Sequence, residues 1–130
     1  MYVEKSEPIC KWNTINTRRI LRGIRTEVRK GSLHQAGHNF GRAATSLKKT
    51  IERLEALPKP AADESRLTRW FAGLATEAHL LEKLARQLDK GHTKSLARTV
   101  LELRHQANVT NNIVLTFGFE FCLLQPARYL

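Results

Sequence analysis

Apolar residues recur at intervals of three and four along most of the chain, which is the spacing of a helix with one buried face. The clearest stripe follows spacings of 4, 3, 4, 3, 4 and 3 and consists of Leu96, Val100, Leu103, Ala107, Thr110, Val114 and Phe117. Such a heptad stripe is typical of a helix that packs nearly parallel to its neighbours. Three further stripes, over about 9–28, 33–54 and 67–88, precede it. The pattern therefore predicts four helices.

Short breaks with the chemistry of helix boundaries separate the stripes. Gly31 can adopt the left-handed conformation that follows a helix end, and Ser32 can cap the next helix. Prolines in the segment 58–60 stop the second helix because proline lacks a backbone N–H. The first helix is expected to begin near Ser6, since Pro8 is tolerated only in a first turn. The other predicted boundary residues are Asp63, Thr93 and Gly118.

These boundaries predict helices over about 6–29, 33–57, 64–89 and 94–117. Because the connections are short, consecutive helices must run antiparallel. The predicted fold is therefore all-α, a single antiparallel up-down-up-down four-helix bundle over 1–130. A composition of 42% hydrophobic and 26% charged residues is that of one globular domain, and no apolar run is long enough for a transmembrane helix.

The two cysteines are far apart in sequence, but this topology brings them to the same end of the bundle. Cys10 lies near the start of the first helix and is turned towards the bundle, and Cys122 follows the fourth helix. Their proximity favours a disulfide, which would require an oxidising compartment. The alternative is a pair of reduced, partly buried cysteines in a cytosolic protein.

Four segments carry a resemblance to a group of known proteins: YVEKSEPIC over 2–10, LEALPKPAAD over 54–63, LARQLDKG over 84–91 and ANVTNNIVLTFGFEFC over 107–122. They resemble the small exported helical proteins and lipoproteins of actinobacteria, which often follow a signal peptide or membrane anchor. The resemblance implies an exported or membrane-tethered location, maps the two family cysteines onto Cys10 and Cys122, and implies no assigned activity. The first residues carry charges where a signal would be apolar, so we expect any leader or anchor to lie upstream of this chain.

The sequence offers little chemistry for catalysis or metal binding. Glu102 and His105 have the spacing of a di-iron ligand pair, but helical geometry points both towards solvent. His34 and His38 could chelate a metal from one helix face, but no third ligand lies nearby. There is no nucleophile elbow and no glycine-rich phosphate loop. We therefore expect no enzymatic activity, no metal and no cofactor.

A basic stripe is the most prominent predicted surface feature of a chain whose net charge is +10. Five cations without an intervening acid fall on one face of the first predicted helix: Lys11, Arg18, Arg22, Arg25 and Arg29. This stripe predicts contact with a polyanion, for which an anionic membrane surface or a cell-wall polymer is favoured over nucleic acid because no nucleic-acid-binding module is present. The alternative is a solvated face of a generally basic protein.

Polar residues interrupt the apolar faces near the cysteine end of the bundle. They are Asn13, Asn16 and Thr17 on the first helix, with Thr110 and Asn111 on the last. One interpretation is mutual hydrogen bonding that fixes the helix register, as a buried Asn does in coiled coils. The other is a small polar pocket with Trp12 at its mouth. Mutation of these residues separates the two interpretations. If the side chains bond to one another, removing one leaves its partner unpaired and lowers the stability; if they line a pocket, the same change should be nearly neutral.

Two functional hypotheses follow from these features. The leading one is a non-enzymatic exported or membrane-tethered envelope protein that binds a partner or a small ligand. The second is a cytosolic basic binding module that contacts nucleic acid or another polyanion. The redox state of the cysteines separates the two. The oligomeric state stays open, although the outward-facing Leu101 and Val109 could mark a dimer face.

Overall fold

A computed structural model describes all 130 residues and contains helices and turns but no strands. The helices are α1 (Tyr2–Ile20), α2 (Ile24–Arg29), α3 (Leu33–Glu55), α4 (Glu64–Asp89) and α5 (Leu96–Ile113). Single 3₁₀ turns lie at Ala61–Asp63, Thr93–Ser95, Leu115–Phe117 and Pro126–Tyr129. The predicted four-helix bundle is confirmed, with α1 and α2 together in the first helix position.

The first helix is not the single span over 6–29 that its stripe predicted. It begins at Tyr2, whose burial anchors an additional turn, so that Pro8 lies inside the helix. It ends at Ile20, and Gly23 adopts a left-handed conformation with φ of +80° before α2 begins. A left-handed residue cannot continue a right-handed helix, and glycine enters that conformation at low cost. The chain therefore turns at a point where the prediction had one continuous helix.

Backbone hydrogen bonds, rather than side-chain caps, stabilise the connections between the helices. At Gly31 the chain turns with φ of +79°, and the N–H of Ser32 donates to the Glu27 carbonyl over 2.8 Å. This is the Schellman arrangement, which satisfies the last carbonyls of a helix. The predicted side-chain caps are absent at Ser32 and Asp63, and Thr93 begins a 3₁₀ turn instead. The last helix also ends earlier than predicted, at Ile113.

Helix contacts follow the chain order: α1 and α2 pack on α3, α3 packs on α4, and α4 packs on α5. Leucine is the commonest residue of the core, and the fully buried Trp70 stacks at 5.4 Å on the ring of Phe119 from the C-terminal segment. Helices α1 and α5 make little direct contact. The residues after α5 fill the space between them.

This C-terminal segment, 114–130, is bonded to the helices on both sides. The Glu7 carboxylate on α1 accepts hydrogen bonds from three consecutive backbone N–H groups, those of Glu120, Phe121 and Cys122, over 2.7–3.1 Å. On the other side, the Asn111 amide of α5 donates to the Leu124 carbonyl over 3.0 Å. The segment therefore closes the fourth side of the bundle.

The predicted disulfide is confirmed. Cys10 and Cys122 are fully buried and bonded, with their Cα atoms 5.1 Å apart. Because disulfides persist in oxidising compartments, this bond indicates an oxidising environment. No helix of the chain has the length and apolar content that crossing a membrane requires.

Candidate anion-binding groove

An apolar groove of about 670 Å³ opens at the end of the bundle far from the disulfide. Its floor consists of the buried side chains of Ile24, Phe40 and Leu84, from α2, α3 and α4. Its walls are formed by Val28, Leu96, Ala97, Val100, Leu101 and Leu130. Leu101 leaves 60% of its surface exposed. Both the volume and the apolar lining are within the range of small-molecule pockets.

Three exposed arginines, Arg25, Arg29 and Arg104, line the opening of this groove, and we call them the arginine rim. The first two come from α2 and the third from α5. Arg25 and Arg104 also border a neighbouring polar depression with Arg128. The rim thus places several guanidinium groups beside one apolar surface.

The local sequence explains why the groove is open. After the break at Gly23, α2 packs on α3 and makes little direct contact with α5. Its apolar face, with Ile24 and Val28, therefore borders a gap rather than a partner helix. Only the end of the C-terminal segment reaches the gap, where Arg25 donates a hydrogen bond to the Leu130 carbonyl. The break in the first helix thus leaves the groove uncovered.

The structure separates the five cations of the predicted basic stripe. Lys11 lies over the Phe121 ring, 5.4 Å from its centroid. Arg18 at the end of α1 and Arg22 in the connecting turn are exposed and do not line the groove. Arg25 and Arg29 do line it, together with Arg104, which the sequence pattern did not associate with them. The five cations therefore do not share one helix, because α1 ends at Ile20, between the second and the third of them, and Arg22 lies in the turn before α2.

The predicted polar cluster is two clusters in the structure. On one side, Ser46 of α3 donates to the side-chain Oδ1 of Asn13 and accepts from the side-chain amide of Asn16, both over 3.0 Å. On the other, Thr110 bonds to Gln106 within α5. Asn111 bonds to the C-terminal segment, and Thr17 is buried without a bond to the α5 set. No hydrogen bond joins the two sets, because the C-terminal segment lies between α1 and α5.

Trp12 lies at a different opening from the one expected. It borders a polar groove of about 580 Å³ between α1 and α3, together with Asn16, Arg42 and Lys49. Neither Thr110 nor Asn111 reaches this groove. The guanidinium of Arg53 lies 5.8 Å from the centroid of the Trp12 ring. One indole face is therefore already occupied by a cation of the protein itself.

No family model, no curated protein and no solved structure matches the chain. The resemblance to exported actinobacterial proteins therefore stays a prediction. The geometry of the groove and the charges around it are the features of the molecule that bear on its function.

A buried carboxyl, missed by the sequence pattern, lies on the inner face of α4. Glu77 is fully buried, and neither of its oxygens has a hydrogen-bond partner. Burial raises the pKa of Glu77 to about 8, and the Thr110 hydroxyl lies beside the carboxyl. That hydroxyl donates over 2.8 Å to the Gln106 carbonyl, so it has no proton left for the carboxyl. The charged form of this carboxyl is destabilised for lack of solvation.

The candidate metal ligands do not form a site with three ligands. His34 is exposed, with its Nδ1 3.6 Å from the Asp89 carboxylate of α4. Glu102 is paired with Lys83 at 3.7 Å. No three His, Cys, Asp or Glu side chains come together where they could hold an ion.

Proposed function

We propose that the protein is a non-enzymatic binding domain of an oxidising, extracytoplasmic compartment, and that it attaches to an anionic membrane surface through the arginine rim. The observation that carries this proposal is the position of the rim, beside an apolar groove of about 670 Å³. The disulfide and the resemblance to exported proteins support the compartment.

The positive charges of the arginines are not neutralised by acidic side chains of the protein. The sequence contains thirteen arginines, and none of them forms an ion pair with an aspartate or glutamate side chain. The four ion pairs present use lysine or histidine instead. Guanidinium groups match phosphate and carboxylate geometry with two parallel hydrogen bonds. A net charge of +10 adds long-range attraction to an anionic surface.

The apolar side chains at the rim favour a membrane over a soluble polyanion. Leu101 is largely exposed, and Val100 beside it is only half-buried. A nucleic acid or a cell-wall polymer would leave this apolar surface uncovered, whereas the interface of a bilayer provides both phosphate groups and acyl chains. The cytosolic alternative is disfavoured because the disulfide would be reduced there.

Co-sedimentation with vesicles tests the proposal. We expect binding to phosphatidylglycerol-containing vesicles, little binding to pure phosphatidylcholine vesicles, and a steep loss of binding as salt is raised. The double variant Arg29→Gln/Arg104→Gln should bind about thirtyfold more weakly, at about 1 kcal/mol for each arginine near the surface. The matched control is Arg69→Gln/Arg86→Gln on α4, which removes two exposed charges away from the groove.

Two results would contradict the proposal. Equal losses in the two double variants would show that net charge, rather than the rim, attracts the protein. Binding to a soluble glycerol-phosphate polymer without binding to vesicles would identify a cell-wall polymer as the partner.

A further inference from the structure

We infer that the apolar groove is a binding site for one single-chain anionic amphiphile, with the alkyl chain in the groove and the carboxylate on the arginine rim. This inference rests on the proposed function, since it uses the same arginines, and it names the ligand class of the site. It also goes beyond surface attachment, because it requires a discrete site that holds one molecule.

The composition of the groove excludes a polar ligand. Floor and walls consist of aliphatic side chains and one phenyl ring, and the only charged residues that line the groove are the three rim arginines. A polar ligand would lose its hydration without gaining hydrogen bonds, which is unfavourable. An alkyl chain gains free energy with each methylene that it removes from water. The groove therefore selects a chain, and the rim selects a negative head group.

The protein itself already places an aliphatic group and an oxygen acceptor together at the arginine rim. The side chain of Leu130 lines one end of the groove, and its carbonyl oxygen accepts a hydrogen bond from Arg25. An aliphatic group and an oxygen acceptor are thus accommodated together at the rim. Arg29 and Arg104 have no aspartate or glutamate partner in the protein. They are therefore available for an external carboxylate.

The test uses laurate below its micellar concentration, titrated into the full chain by calorimetry. We expect saturable binding with one laurate per chain. Affinity should rise about fourfold per methylene from octanoate to laurate, because each buried CH₂ contributes a constant increment. Dodecanol, which has the same chain without the charge, should bind about fivefold or more weakly. Arg104→Gln should weaken laurate binding about fivefold and leave dodecanol binding unchanged.

A steric variant tests the location of the site without disturbing the core. Ala97 is exposed and lines the groove, so Ala97→Phe should fill it and lower laurate affinity by about tenfold or more. The matched control is Ala72→Phe, at an exposed position of α4 that does not line the groove. Circular dichroism checks that both variants keep the wild-type helicity.

The outcomes separate this inference from the proposed function. Absence of saturable laurate binding, laurate that binds no more tightly than dodecanol, or equal affinity in the two phenylalanine variants would overturn the inference. If vesicles are still bound in that case, the proposed surface attachment stands without the site. Laurate binding without vesicle binding would instead retain the groove and contradict the membrane proposal.

Discussion

Gly73 of α4 lies directly against Thr110 of α5, with no space between them for a methyl group. A Cβ at position 73 would lie 3.0 Å from the threonine Cγ2 and still closer to its hydroxyl oxygen. This contact lets the two helices approach each other closely. It also lies one turn from the buried Glu77, so this tight α4–α5 contact and the buried carboxyl share one region.

Gly73→Ala should therefore destabilise the protein, although alanine is the better helix former. Overpacking costs about 1–3 kcal/mol, which exceeds the gain of about 0.5–1 kcal/mol in helix propensity. Gly41 of α3 is the matched control, because a Cβ there would meet nothing within 4 Å. Gly41→Ala should stabilise the protein by about 0.5–1 kcal/mol. Urea denaturation measures both, and equal stabilisation by the two changes would contradict the close contact.

The bundle could be predicted because its determinants are local. Apolar periodicity and short connections fix the number and direction of the helices, and this direction brings Cys10 and Cys122 to one end. The break at Gly23 could not be predicted in the same way, because the apolar stripe continues through it. The path of the C-terminal segment depends on Glu7, 113 residues before its first contact there, and no periodicity signals such a contact.

The disulfide should contribute much of the stability. It closes a loop across a sequence separation of 112, for which the lost freedom of the unfolded chain corresponds to about 4–5 kcal/mol at most. Cys10→Ala/Cys122→Ala should therefore unfold at a much lower urea concentration with unchanged helicity. Dithiothreitol should lower the stability of the wild type towards that of the variant and leave the variant unaffected. Freely alkylated thiols in protein refolded under oxidising conditions would contradict the bond.

Only part of the candidate groove could be predicted from the sequence. Arg25 and Arg29 could be placed together on one helix face, because helical spacing relates residues four apart. Arg104 lies on another helix, and its position beside them depends on how the C-terminal segment separates α1 from α5. The apolar residues of the groove looked like ordinary core positions, since periodicity shows which face is apolar and not whether it is covered.

Asn13 should hold the register of α1 against α3. The side-chain Oδ1 of Asn13 is the acceptor for the buried Ser46 hydroxyl. Asn13→Ala should therefore cost about 1–3 kcal/mol of stability, because it leaves that hydroxyl unpaired. Ser46→Ala in the same background should add much less than it costs alone, which a double-mutant cycle measures. The exposed Asn112→Ala is the control and should change stability by less than about 0.5 kcal/mol. Additive effects of Asn13 and Ser46 would rule out the bond.

Glu77 should make stability decrease with rising pH. Burial raises the pKa of Glu77 from its ordinary value of 4.5 to about 8. Below about pH 4.5 the carboxyl is protonated in both states and has no effect on the pH dependence. Between about 4.5 and 8, only the folded state keeps the proton, so each rise of one pH unit removes up to about 1.4 kcal/mol of stability. Above about pH 8 both states are ionised and the loss stays constant.

Glu77→Gln keeps the size of this side chain but cannot ionise, so it should remove this pH dependence. Urea denaturation near pH 5, 7 and 9 measures the free energy of unfolding of both proteins. The stability of the variant relative to the wild type should increase as pH rises to about 8 and stay constant above that pH. The contributions of the other ionisable groups cancel in the difference between the two proteins. The exposed Glu55→Gln should follow the wild-type curve throughout. A difference between Glu77→Gln and wild type that does not change with pH would mean that the carboxyl is solvated in the folded protein.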